Sequence, residues 1–348
     1  MITAVGKNNI QTKPLSFKGS TLVENLNVAP KGNVLPCVNH KTALFRDSDI
    51  LFFAINHLKK IFSGGTIVHE ACSTGEELYS TKMLADETGT KFKFIGYDIG
   101  PQAIEKAKQG IALNETDSIF INKNSAGDIN KLGVKNKQLG FLSKLLKKNF
   151  VIDKEENICY PTADFKKGIT FEVGNINNIE TQKLPKDTIA LFFKNAFYHV
   201  TGNHWSNPFL KKENISNPDN LKTFLQSGID KITHIVKYAY KELPEKGLFV
   251  IGQSEPDHIF AVPFYSETKE EGCINLFEDK DIRGTINDLL KENNLKFPKK
   301  LKGKKEGFLD LILRREGFEP VKYSDMMQTI ASKVYKESLK LPSVWMKK

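Results

Sequence analysis

The sequence predicts a doubly wound α/β domain, and three observations carry that prediction. Thr66-Ile67-Val68-His69-Glu70 begins as a short apolar strand, passes through a tight turn of small residues around Gly75, and enters a helix that buries Leu78, Met83 and Leu84. The next apolar run, Phe92 to Tyr97, ends in Asp98, roughly twenty residues beyond the turn, where such folds place a carboxylate on a ribose hydroxyl pair. Further short apolar runs follow at Ile169 to Val173, Thr188 to Phe193 and Gly247 to Gly252, with helical spacing between the last two.

Taken in order, residues 1–38 are polar, carry Pro14, Pro30 and Pro36 and lack periodicity, so they read as a flexible leader. Leu51, Phe52, Ile55, Leu58, Ile61 and Phe62 recur at helical spacing and predict a helix packed on the sheet. After Asp98, Pro101 opens a helix that Gly110 stops. Periodicity weakens over 111–168, apart from a stripe of Phe141, Leu142, Leu145 and Leu146. Phe150-Val151-Ile152 and Asn157-Ile158-Cys159-Tyr160 then predict a hairpin around a charged turn. The strand from Thr188 delivers Lys194-Asn195-Ala196-Phe197-Tyr198-His199 to the crevice, and the polar stretch 200–220, with Trp205, reads as a lid. Leu221, Phe224, Leu225, Ile229, Ile232, Ile235 and Val236 predict a long helix ahead of the strand at Gly247. Residues 266–348 read as a helical C-terminal extension, with helices near Asp281 to Asn293, Glu306 to Glu316 and Ser324 to Leu339.

The chemistry of the corner follows from what its turn lacks. A dinucleotide pyrophosphate wants three glycines so that backbone amides can approach, and a nucleotide triphosphate wants a P-loop lysine. The turn has neither; it has one glycine, Gly75, followed by Glu76 and Glu77. Added phosphate charge would be repelled there, whereas a cation would not. S-adenosylmethionine has a sulfonium, an ammonium, a ribose diol for Asp98 and no phosphate, so it suits this corner better than NAD or ATP.

Composition removes other classes. The chain of 348 residues is 40% hydrophobic and 26% charged, as in an ordinary globular protein. No stretch approaches the ~18 apolar residues of a membrane span, and residues 1–13 lack a signal-peptide core, so a cytoplasmic location is expected. Cys37, Cys72, Cys159 and Cys273 are scattered without a CxxC pair, and the histidines show no metal spacing. The net charge of +10 admits a nucleic-acid partner, but the excess is spread along the chain rather than gathered in one stripe, so that partner is not favoured.

Ala71-Cys72-Ser73-Thr74-Gly75-Glu76-Glu77-Leu78-Tyr79-Ser80 resembles the donor-binding signature of the CheR-type chemotaxis receptor methyltransferases. Thr42-Ala43-Leu44-Phe45-Arg46-Asp47, Tyr97-Asp98-Ile99, Phe171 to Ile176 and Gly247 to Glu255 match further family stretches in the family's order. The resemblance covers about 39–265. It implies a class I methyltransferase (Rossmann-like) sheet with a small inserted β-subdomain at about 111–168 that docks protein substrates. By the same resemblance, Thr42, Arg46, Ala71, Ser73, Gly75, Glu76, Glu77, Asp98, Asn175, Ile176, Phe193, Lys194 and Asn195 contact S-adenosylmethionine.

Two departures fall nearest the family's chemistry: Lys194 stands for an arginine and His199 for a tyrosine, and both are the expected catalytic positions. Lysine gives up a planar two-point grip on a carboxylate, and histidine brings a group that titrates near neutrality. The family's N-terminal helical receptor-contacting domain has no counterpart in 1–38. The expected activity is methylation of a protein glutamate. A catalytically silent donor-binding signalling module and a nucleic-acid N-methyltransferase, faintly echoed by Asn195-Ala196-Phe197-Tyr198, are the alternatives.

Overall fold

The computed structural model describes residues 44–46, 48–112, 136–194, 196–201, 217–252, 261–265, 271–275, 283–296, 300–301, 304–305, 308–321 and 343–348. Residues 1–38, Thr42, Asn195, residues 202–216 of the expected lid with Trp205, the helix expected from Ser324 and the side chain of His199 lie outside them; the last residues of that lid, 218–220, are helical.

The corner expected from the sequence is present. Strand β1 (Gly65–Glu70) leads through the turn into α2 (Glu76–Glu87), preceded in the chain by α1 (Ser48–Ile61). Strand β2 (Phe92–Asp98) pairs with β1 in parallel, setting Val68 opposite Ile95 and Glu70 opposite Tyr97. Helix α3 (Pro101–Gln109) starts on Pro101, whose fixed φ and missing N–H suit a first helical position, and stops at Gly110. A small antiparallel sheet follows, in the order β3 (Ile111–Ala112), β5 (Ile158–Pro161), β4 (Phe150–Asp153), with α4 (Asn136–Asn149) ahead of β4 and the expected hairpin intact. This is the inserted β-subdomain.

The main sheet continues with β6 (Ile169–Val173), reached through the short α5 (Ala163–Lys166), and β7 (Thr188–Phe193). The short α6 (Phe197–Val200) and the long α7 (Pro218–Glu242) come next. Asn217 caps α7 by accepting from the amides of Asp219 and Asn220 at 3.0 and 3.2 Å, which satisfies two of the helix's orphan donors. Strand β8 (Leu248–Ile251) follows, then the β9 (Ala261–Tyr265) and β10 (Glu271–Asn275) hairpin, and α8 (Arg283–Glu292). The hairpin β11 (Lys300–Leu301) and β12 (Lys304–Lys305) precedes α9 (Phe308–Arg315), β13 (Phe318–Pro320) and β14 (Val344–Lys347).

The seven-stranded sheet runs β13-β14-β8-β7-β1-β2-β6, parallel from β8 to β6 and antiparallel on both sides of β14. This is the doubly wound, Rossmann-like order expected of a class I methyltransferase domain. The C-terminal stretch differs from the expected helical extension: besides α8 and α9 it holds β10 and the β11–β12 hairpin, and it supplies β13 and β14, which complete the main sheet. Two strands of three and four residues give little periodicity to read, and their partners lie far off in sequence.

Each face of the sheet is packed. Leu58, Ile67, Leu78, Met83 and Leu84 join one core with α1 and α2; Val68, Leu191, Ile232, Val236 and Phe249 join the other, under α7 and α9. Each fully buried side chain of this size contributes about 1.5–3 kcal/mol of transfer free energy. No described helix is long and apolar enough to cross a membrane.

Candidate functional site

Strands β2 and β6 extend from one side of β1, and β7 and β8 from the other. The carboxyl ends of β1 and β7 therefore border the crevice at which open α/β sheets bind ligands. Into that crevice the chain feeds a turn with alternating left-handed backbone: Ala71 at φ 52°, Ser73 at φ 52° and Gly75 at φ 90°. A non-glycine residue in this region costs of order 1–3 kcal/mol and persists only where the surroundings hold it. Three backbone ties do so. Cys72 N donates to Tyr97 O at 2.8 Å, Ser73 N to Asp98 Oδ2 at 2.7 Å, and Gly75 N to Cys72 O at 3.0 Å. Gly75 has a second constraint, because a Cβ there would sit 2.9 Å from the Phe171 ring.

Asp98 is 4% exposed and anchors two segments, since its Oδ1 also accepts from Gly100 N at 2.8 Å. Next to it, Gly174 N donates to Asp98 O at 2.9 Å, which brings Asn175 and Ile176 to the same edge. The Asn175 side chain accepts from Asn177 N at 2.9 Å and so caps the 3-10 helix Ile176–Thr181. Ser73, Asp98, Asn175 and Ile176 are thus brought together as the sequence expects.

The two carboxylates after Gly75 have different surroundings. Glu76 is buried and accepts from Thr74 Oγ1 at 2.7 Å. Glu77 turns inward: Oε1 meets His69 Nδ1 at 3.2 Å and Oε2 meets Lys194 Nζ at 3.1 Å. Burial would raise the Glu77 pKa, but the Lys194 ammonium and then His69 pull it down to about 2. His69, stacked on Phe192, is held below its ordinary range by burial, against the pull of Glu77. Glu77's charge is therefore offset by Lys194, and the acid lining of the bend comes from Glu76 and Asp98.

Lys194 differs from its expected role of facing an acceptor. Its side chain is 0% exposed, and Nζ donates to Arg46 O at 2.9 Å as well as pairing with Glu77. The reason is local: β7 ends at the corner where α2 begins, and a carboxylate is already buried there. Phe193 also differs, since its ring lies in the core, stacked on Phe197 and Phe249 at 5.3 and 5.0 Å. Arg46 stays half-buried on a turn tied to α2, because Phe45 N donates to Ser80 Oγ and Ser80 Oγ to Glu76 O, at 2.8 and 2.6 Å.

Sequence reasoning passed over Glu70 and Gln182. Glu70 is buried at the end of β1, and neither of its oxygens nor either amide atom of neighbouring Gln182 makes a hydrogen bond of good geometry. Burial raises the Glu70 pKa to about 8; Gln182 opposes the rise and Asp98 adds to it. The signal was available, because His69 and Glu70 are polar residues in a strand buried on both faces. Cys72 is buried, and that burial, then Asp98, Glu70 and Glu76, hold its thiol well above its usual range, which disfavours the thiolate. Among the described residues no cluster of His, Cys, Asp and Glu could hold a metal ion.

No family model and no curated protein matches this chain. Similar solved structures include the bifunctional kinase-methyltransferase WbdD, at 12% identity and TM-score 0.30, over 60% of this chain and 29% of that one. A second is an S-adenosylmethionine-dependent methyltransferase from Mesorhizobium loti, at 11% and 0.30, over 84% and 94%. A third is S-adenosylmethionine-bound CalS10, an amino pentose methyltransferase from Micromonospora echinaspora, at 10% and 0.27, over 61% and 52%. The chain spans less than a third of the WbdD chain. At such identities and scores these likenesses carry no argument about activity.

Proposed function

We propose that this chain is an S-adenosylmethionine-dependent methyltransferase of the CheR type, methylating a protein carboxylate to a glutamate methyl ester. The observation that carries the reading is the bend after β1, in which a single glycine, the Ser73–Asp98 tie and the buried Glu76 form an acidic corner. The residues present fit the donor's chemistry. Asp98 would accept from the ribose hydroxyls, Asn175 and Ile176 would meet the adenine, and Ala71, Ser73, Gly75 and Glu76 would line the cationic end. Arg46 is the candidate for the donor's carboxylate. The ordered motifs from Thr42 to Glu255 support the narrower assignment.

When bound, S-adenosylmethionine supplies an electrophilic methyl group on its sulfonium. The chain's task is to hold acceptor and donor in line and keep water out. A glutamate acceptor, with a reference pKa of about 4.3, is already an anion at neutral pH and needs no base. For a neutral acceptor His199 would be the candidate base. The exposed β4 edge of the inserted subdomain, with Val151 at 60% exposure, is our candidate surface for a protein substrate.

The test is transfer from methyl-labelled donor into a cell lysate, followed by mild alkali. Label released as methanol is the expected result. Alkali-stable label would contradict the ester and point to nitrogen or nucleic-acid methylation, and donor binding without transfer would point to a silent module.

A further inference from the structure

Lys194 is a buried cation at the crevice, and its charge is paired within the protein. Nζ is fully buried, 3.1 Å from Glu77 Oε2 and 2.9 Å from the carbonyl oxygen of Arg46, a residue 148 positions earlier. Glu77 is in turn fixed from the other side by His69 Nδ1 at 3.2 Å. One buried ammonium therefore joins the end of β7, the first turn of α2, the end of β1 through His69, and the Leu44–Arg46 turn. That turn has a second anchor in the Phe45–Ser80 hydrogen bond. Phe45 sits at φ 56°, a conformation that needs such support.

We infer that Lys194, held by Glu77 and His69, is a positioning residue that fixes the Leu44–Arg46 turn so that the Arg46 guanidinium meets the carboxylate of the donor's amino-acid tail. The inference rests on the donor assignment made above. An α-carboxyl group has a pKa of about 3.5 and is an anion at neutral pH. It needs a cation in a corner otherwise lined by Glu76 and Asp98. Lys194 cannot fill that role, since its charge is matched by Glu77. Arg46, half-buried on the turn, carries a planar fork suited to a carboxylate, and where that fork sits depends on its backbone being held in place. The Lys194 bond to the Arg46 carbonyl does that holding.

Two ligands separate this role from a merely structural one. S-adenosylhomocysteine carries the amino-acid tail, and 5′-methylthioadenosine has the same nucleoside without it. Calorimetry on the full chain should show Lys194→Met weakening S-adenosylhomocysteine about tenfold and 5′-methylthioadenosine less than twofold. Arg46→Gln should show the same selective loss, and the double variant should lose no more than Arg46→Gln alone, because both changes remove one contact. If Lys194→Met fails to fold because Glu77 is left buried and unpaired, Glu77→Leu/Lys194→Met removes both charges and should show the same selectivity. Equal loss for the two ligands, or no loss for either, would overturn the inference. Failure of the unaltered chain to bind either ligand would overturn the donor assignment, and this inference with it.

Discussion

The β1–α2 corner and the flank closed by β8, β13 and β14 are parts of one sheet, held by opposite means. At the flank, Phe249 stacks among Phe193, Phe197 and Phe318, and Trp345 is wholly buried with the Arg314 guanidinium 5.3 Å from its ring. Apolar contact is non-directional, so this ring packing needs volume and shape to be right, while Lys347 Nζ ties the end of β14 to the Tyr240 and Leu243 carbonyl oxygens. The corner instead buries His69, Glu70, Glu76, Asp98 and Lys194, leaves Glu77 only 13% exposed, and holds Ala71 and Ser73 in left-handed backbone. Burying charges is a poor way to gain stability. Its concentration at the carboxyl edge of the sheet is what a site for a polar ligand requires.

If that contrast is right, substitutions in the two regions should fail differently. The largest effect is expected from Glu77→Leu, which strands the Lys194 ammonium and should cost about 3–5 kcal/mol of stability in urea unfolding. The same pairing predicts acid sensitivity. With Glu77 drawn down to about 2, its contribution is present above pH 4.5 and lost as pH falls through 2. Glu70 should act with the opposite sign. Its pKa is raised from 4.5 to about 8, so stability present below pH 4.5 is lost as pH rises through 8, a change of about 5 kcal/mol. Glu70→Gln should remove that alkaline loss in unfolding curves at pH 5.5 and 9.

Smaller effects sharpen the comparison. Asp98→Ala should weaken donor binding by about 1–3 kcal/mol in calorimetry, the scale of a hydrogen bond to a charged group. Phe249→Leu, on the flank, should cost about 1–2 kcal/mol of stability while leaving donor affinity unchanged, because a partly filled core site loses only some of its packing. His199→Ala should leave donor binding as it is; a large loss would place His199 among the donor's contacts.

Much of this contrast was legible in the sequence. The apolar runs of β1, β2 and β7 and the stripe of α7 declared themselves because each is long and uniform in period. Asp98 was found from its interval beyond Gly75. The direction of Lys194 was not, because its partners Glu77 and Arg46 meet it only through tertiary packing, and neither spacing nor residue type says which way an ammonium turns. Phe193 was misleading for a related reason: at a strand's carboxyl end, successive side chains face opposite sides, and this one faces the core. Strands β13 and β14 escaped notice because a few residues carry no pattern of their own.

The central claim, that the acidic bend after β1 receives a positively charged adenosyl donor, is tested most directly by titrating the full chain with S-adenosylmethionine, NAD and ATP in a calorimeter. The account predicts saturable binding of S-adenosylmethionine at one site per chain, weakened by Asp98→Ala, and no binding of the two phosphate-bearing ligands. Binding of NAD or ATP at this corner, with no heat from S-adenosylmethionine, would contradict it.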